Sequence, residues 1–119
     1  MLKIYTYKSC STCRNATAWL KTQGIRFEEN PIRETPPTLR ELKSMLAARE
    51  DNIRPLFNTS GLDYRALNLK DKLPSMKPDD ALRLLQSNGN LVKRPFALDE
   101  SKDIHLLGFR ETEWCAALL

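Results

Sequence analysis

The fold is decided by residues 2–14, Leu2-Lys3-Ile4-Tyr5-Thr6-Tyr7-Lys8-Ser9-Cys10-Ser11-Thr12-Cys13-Arg14. The first six residues alternate and are rich in β-formers, which predicts a strand. Lys8 to Thr12 are polar and offer residues suited to cap a helix. Ala16, Trp19 and Leu20 then recur at helical spacing, and Gly24 is a natural stop. Ile25-Arg26-Phe27-Glu28-Glu29 returns to a period of two. Residues 2–30 therefore read as strand, loop, helix, strand, a βαβ unit whose strands run parallel. A CxxC pair falls between its first strand and its helix.

Downstream, residues 31–90 are mostly helical. Pro31, Pro36 and Pro37 punctuate the chain, and Pro37 or Thr38 opens a helix with Leu39, Leu42, Met45 and Leu46 on one face. Arg54-Pro55-Leu56-Phe57 reads as a short turn or helix start, Asn58 to Gly61 as a loop, and Tyr64, Leu67 and Leu69 as a short helix. Pro78-Asp79-Asp80 starts another helix, which carries Ala81, Leu82, Leu84 and Leu85 and ends at Asn88-Gly89. Pro95 to Leu98 and Ile104 to Leu107 predict an antiparallel hairpin, and Gly108-Phe109 leads into a last helix at about 111–118. There are no repeats and no low-complexity tract. The order is βαβ, a helical insert, then ββα. It predicts an α/β, thioredoxin-like fold with a four-stranded mixed sheet. In a single domain, 1–119, the core is about 1–30 and 91–119, and the helical insertion about 31–90.

A chain of 119 residues is one domain at about 100–200 residues per domain. At this size roughly two-thirds of the surface is buried, so no disulfide staples are needed. With 41% hydrophobic and 29% charged residues, the composition excludes a disordered tail or a collagen-like fibre. No apolar run is long enough to span a bilayer. The N-terminus lacks the features of a signal peptide, so a cytoplasmic location is expected. A net charge of +4 is no nucleic-acid footprint without a concentrated basic face, but it suits a site that attracts small anions or thiolates. Three cysteines, an odd number, argue against a secreted disulfide scaffold. In a reducing cytosol, paired cysteines are more often catalytic, redox-sensing or metal-binding.

The thiolate is the nucleophilic form of cysteine, and a helix N-terminus stabilises it with free N–H groups and the positive end of the dipole. Lys8 and Arg14 flank the pair and act in the same sense, while Ser11 and Thr12 lie between the two cysteines. At this spacing Cys10 attacks and Cys13 resolves the mixed disulfide. Two merely small, semi-buried cysteines are the plainer alternative. A zinc site needs about four ligands and would consume Cys10, Cys13, Cys115 and His105 together, so no metal is expected. In a thioredoxin-like arrangement the Lys93-Arg94-Pro95 loop packs beside Cys10. Pro95 is then a candidate for a cis peptide, and Arg94 faces the thiolate or an oxyanion; an ordinary surface arginine before a turn proline is the alternative. Cys115 reads as a core residue, His105 as a solvent-facing strand residue, and Trp19 and Trp114 as core anchors. Asn58, Ser60 and Tyr64 either line the site or form a plain turn.

Together, Tyr7-x-x-Cys10-x-x-Cys13-Arg14-x-Ala16, Leu67-Asn68-Leu69, Lys93-Arg94-Pro95 and Leu107-Gly108-Phe109 resemble the arsenate reductase (ArsC)/Spx family over essentially the whole chain. The resemblance implies a thioredoxin-like fold with a helical insertion. It also implies one of two roles. The family's glutathione- and glutaredoxin-dependent arsenate reductases use one nucleophilic cysteine, matching Cys10, and three arginines that hold the oxyanion. Arg94 matches one of these. Leu56-Phe57-Asn58-Thr59 carries no arginine, the segment after Leu98 is acidic (Asp99, Glu100, Asp103), and Arg110 lies beyond the strand. Losing two charge-assisted contacts, at about 1.5–3 kcal/mol each, weakens oxyanion binding. The Spx branch uses CxxC as a redox switch and binds the C-terminal domain of the RNA polymerase α subunit. The first expectation is thus a thiol-disulfide oxidoreductase with Cys10 as nucleophile, Cys13 as resolving thiol, Arg94 stabilising the thiolate or an oxyanion, and Pro95 shaping the loop. Glutathione/glutaredoxin or thioredoxin donates the electrons, no cofactor is bound, and arsenate is the named candidate substrate. The second is a redox-sensing transcriptional regulator whose partner is the polymerase α subunit. Either acts as a monomer, without direct contact to nucleic acid or membrane.

Overall fold

The computed structural model describes residues 1–119. The chain runs β1 (Leu2–Thr6), α1 (Ser11–Thr22), β2 (Phe27–Pro31), α2 (Leu39–Ala48), α3 (Leu62–Ala66), α4 (Leu69–Lys72), α5 (Pro78–Ser87), β3 (Phe96–Asp99), β4 (Ile104–Leu107) and α6 (Glu111–Leu118). Single 3-10 turns occupy Arg54–Leu56, Leu73–Ser75, Gly89–Leu91 and Glu100–Lys102. The four strands form one mixed sheet in the order β2-β1-β3-β4. β1 pairs in parallel with β2, Leu2 opposite Phe27, and antiparallel with β3, Ile4 opposite Ala97. β3 pairs antiparallel with β4, Ala97 opposite Leu106. This is the α/β, thioredoxin-like architecture that the sequence predicts.

The chain divides into two compact units, Met1–Pro31 with Arg94–Leu119, and Ile32–Lys93. In the sheet unit, Leu2 and Ile4 of β1, Ala16, Trp19 and Leu20 of α1, Ala97, Leu106 and Trp114 form one buried cluster. Trp114 is fully buried and meets Trp19 and Phe109 edge-on, with ring centroids 6.3 and 5.1 Å apart. Both tryptophans are core anchors, and each buries enough surface to dominate a small core. In the helical unit, α2 packs on α5. α2 starts at Thr38, whose hydroxyl accepts from the Glu41 N–H at 3.1 Å while the Glu41 carboxylate accepts from the Thr38 N–H at 2.9 Å. This reciprocal box satisfies two of the orphan donors at the helix start.

Three local differences from the sequence reading have physical causes. β2 begins at Phe27 rather than Ile25, because Ile25 is used to close α1: its N–H donates to the Leu20 carbonyl while that of Gly24, at φ +70°, donates to Lys21. That pattern needs a residue comfortable in the left-handed region. The single short helix predicted around Tyr64 to Leu69 is two, α3 and α4, broken at Asn68 with φ +53°, a conformation asparagine tolerates better than most residues. His105 is not solvent-facing. Its side chain is 9% exposed, with Nδ1 3.5 Å from an Asp103 carboxylate oxygen. His105 lies opposite Leu98, which is itself buried. Paired residues share a face, and alternation alone presumes that one face of the hairpin is wet.

Gly89 has a sharper role than ending α5. A Cβ at this position would overlap the Ile32 carbonyl oxygen and crowd the Arg33 backbone. Gly89→Ala is expected to destabilise the protein by about 2–3 kcal/mol, read as a lower urea midpoint with an unchanged slope.

Candidate active site around Cys10

β1 ends at Thr6, and the chain turns through Tyr7, Lys8 and Ser9 with the Cys10 N–H donating to the Tyr7 carbonyl at 2.9 Å. Cys10 keeps an extended backbone (φ −88°, ψ 116°) and is the N-cap of α1. Its Sγ accepts from the Cys13 N–H at 3.4 Å, the place a serine or aspartate oxygen takes in most caps. Cys10 is half-buried, Cys13 is buried at 2% exposure, and both are free thiols. Ser11 and Thr12 stand exposed on the first turn, which carries no acidic residue. Lys8 is exposed as well. Arg14 donates from Nη1 to the Lys8 carbonyl at 3.1 Å, so it braces the loop backbone.

Arg94 belongs to the sheet unit and lies just before β3. It precedes a cis bond to the buried Pro95, and its guanidinium carbon lies 5.1 Å from the centroid of the Tyr7 ring. Stacking on an aromatic face suits a planar guanidinium. The Pro95 carbonyl accepts from the Gly108 N–H at 2.9 Å, and the Gly108 carbonyl accepts from Trp114 Nε1 at 3.0 Å. Arg94 is therefore positioned through a hydrogen-bonded chain that ends in the aromatic core.

The two thiols are driven apart. Burial pushes the Cys10 thiol up, but the Cys13 N–H, the Cys13 side chain and the charge and hydrogen bond of Arg94 together outweigh it, leaving Cys10 below the ordinary thiol value. Burial pushes Cys13 up to about 12, with the neighbouring Cys10 acting in the same direction and a backbone hydrogen bond from Tyr7 and the Arg94 charge only partly opposing. One member of the pair is thus suited to attack as a thiolate while the other stays protonated and donates to it.

The structure brings Cys10, Cys13 and Arg94 together and sets Pro95 next to them in the chain. Tyr7, which sequence reasoning counts only as part of the motif, backs Arg94 with its ring and Cys13 with its backbone. Its position directly after β1 and three residues before Cys10 was the available signal. Asn58, Ser60 and Tyr64 belong to the helical unit, where Tyr64 is buried against Phe57. Cys115 is half-buried against the tryptophan cluster, and Arg110 is the exposed N-cap of α6. No group of three or more His, Cys, Asp or Glu side chains is placed to hold a metal ion.

Alkylation by iodoacetamide near neutral pH is expected at Cys10 before Cys13 and Cys115. Its rate rises with pH and levels off below the pH expected of an ordinary thiol. Arg94→Gln removes one of the groups that hold Cys10 down and moves that midpoint upward. A pH profile by mass spectrometry checks both, and equal rates at all three cysteines would contradict the assignment.

The chain is similar to known proteins in sequence and in fold. The model of the ArsC family matches residues 5–117. The uncharacterized protein YusI of Bacillus subtilis is 42% identical, covering 95% of this chain and 94% of that protein. The global transcriptional regulator Spx of Enterococcus faecalis is 38% identical over 95% of this chain and 83% of its own length. A crystal structure described as a possible arsenate reductase from Streptococcus mutans superposes with a TM-score of 0.85 at 39% identity, covering 92% of each chain. From the strand-loop-helix that carries Cys10 to the Arg94–Pro95 turn, this chain belongs to the ArsC family.

Proposed function

We propose that the protein is a thiol-disulfide oxidoreductase in which Cys10 is the nucleophile, Cys13 the resolving thiol and Arg94 the group that stabilises the Cys10 thiolate. One observation carries the reading: Cys10 Sγ caps α1 by accepting from the Cys13 N–H at 3.4 Å, a placement that together with Arg94 sets Cys10 below the ordinary thiol value while burial pushes Cys13 up. Cys10 Sγ attacks one sulfur of a substrate disulfide. An S–S bond forms, and the leaving thiolate takes a proton from solvent. Cys13 then surrenders its proton and attacks Cys10 Sγ. This closes the Cys10–Cys13 disulfide and releases the second substrate thiol, so two electrons pass from the pair to the substrate. Glutathione with glutaredoxin, or thioredoxin, restores the dithiol. Lys8 adds positive potential, Ser11 and Thr12 leave the first turn open, and Pro95 shapes the Arg94 loop.

Arsenate is the oxyanion to test, since relatives by structure include a possible arsenate reductase from Streptococcus mutans. Its reduction would begin with Cys10 Sγ bonding arsenic as a hydroxyl leaves as water. Attack on Cys10 Sγ by a second thiol would then leave the electron pair on arsenic as arsenite departs. A second reading is favoured by the CxxC pair and by the Spx relative, a transcriptional regulator by name: the pair is a redox switch governing contact with the C-terminal domain of the RNA polymerase α subunit.

Turnover is measured as NADPH oxidation with either a disulfide or arsenate as substrate, coupled to glutathione/glutaredoxin or to thioredoxin. The expected result is turnover that falls to background in Cys10→Ser, and a mixed disulfide trapped in Cys13→Ser. No turnover in any arm, together with a polymerase α pull-down that differs between reduced and oxidised protein, would replace the first reading by the second.

A further inference from the structure

The helical unit holds a cavity of about 370 Å³ that the cysteine chemistry does not use. Ile53, Leu73, Pro74 and Met76 make its apolar wall. Arg54, Lys70, Asn52 and Tyr64 are its polar members. A few polar groups on an apolar wall, at this volume, is the usual make-up of a small-molecule site.

Three observations define what would fit. The charged groups lining the cavity are both cations, and neither the Arg54 nor the Lys70 side chain pairs with an acidic group of the protein. Tyr64 is 5% exposed, its ring held against Phe57 at 6.0 Å. Its hydroxyl makes no hydrogen bond within the protein, yet it is not a sealed, unsatisfied atom. Tyr64 lines the cavity, so its hydroxyl is available there as a polar group without a partner in the protein. A hydroxyl on a largely buried residue normally finds a partner, and a ligand seated in the cavity would supply one. The apolar lining includes a proline ring and a methionine, and a methionine side chain adapts readily to apolar bodies of different shape. A bare inorganic anion would engage the cations and leave that wall wet; a neutral hydrocarbon would leave the cations and the hydroxyl unused.

We propose that this cavity binds a small organic anion, a monocarboxylate carried on a flat body of one or two rings. Arg54 and Lys70 hold the carboxylate, the Tyr64 hydroxyl donates to it or to a ring substituent, and the rings lie against Leu73, Pro74 and Met76. Arginine matches a carboxylate bidentately, so Arg54 is the larger contributor.

The test is a backbone-amide NMR titration of the full chain with 2-naphthoate, with its neutral isostere 2-naphthamide, and with inorganic phosphate. Saturable shifts are expected with naphthoate at residues 52–54, 64, 70–73 and 76. Naphthamide and phosphate should bind at least about tenfold more weakly. Arg54→Gln should weaken naphthoate by about five- to tenfold and leave naphthamide unchanged. Tyr64→Phe keeps the ring against Phe57 and should weaken naphthoate a few-fold, with the sheet amides unmoved in both variants. The proposal is overturned by an absence of saturable shifts, by shifts confined to other residues, by equal affinity for naphthoate and naphthamide, or by phosphate binding as well as naphthoate.

Discussion

Everything at the candidate site depends on a sulfur atom standing where a helix expects an oxygen. The first N–H groups of α1 have no partner within the helix, and Cys10 Sγ accepts one of them. A cap of this kind ordinarily contributes about 1 kcal/mol to the helix. With sulfur the same geometry also favours the thiolate, because the donor and the positive end of the helix dipole face the atom that carries the charge. The cap and the thiol held low are one atom, and this distinguishes the two cysteines: Cys13, one turn in, has its backbone in the helix and its side chain buried.

This much was legible in the sequence. An alternating run, a polar loop with CxxC and a helical run stopped by glycine are local patterns, and each element formed close to where its pattern lies. The mixed sheet was also within reach, since a βαβ unit and a β-hairpin leave few ways to share one sheet. Element edges were less visible. The two residues by which β2 starts late are spent on the hydrogen bonds that close α1 beyond Gly24, and the break at Asn68 depends on a single backbone dihedral.

Tertiary facts lay out of reach for a different reason. That Arg94 rests on the Tyr7 ring joins two loops far apart in the chain, and no local periodicity encodes it. The burial of His105 depends on what covers its face of the hairpin. The role of Gly89 is likewise invisible: the sequence shows a helix breaker, while the structure shows a backbone-to-backbone approach at Ile32 that no side chain permits. The helical unit is where propensity said least, because proline, asparagine and short apolar runs there support several equally plausible turns.

The hydrogen-bonded path from Trp114 through Gly108 to Pro95 ties the aromatic core to the loop that carries Arg94. A substitution that loosens Trp114 therefore reaches the Cys10 thiol through Arg94, which is one of several groups that hold it low. The cap at Cys10 stays in place, so thiol reactivity becomes a graded reporter of how tightly the core of the sheet unit is packed.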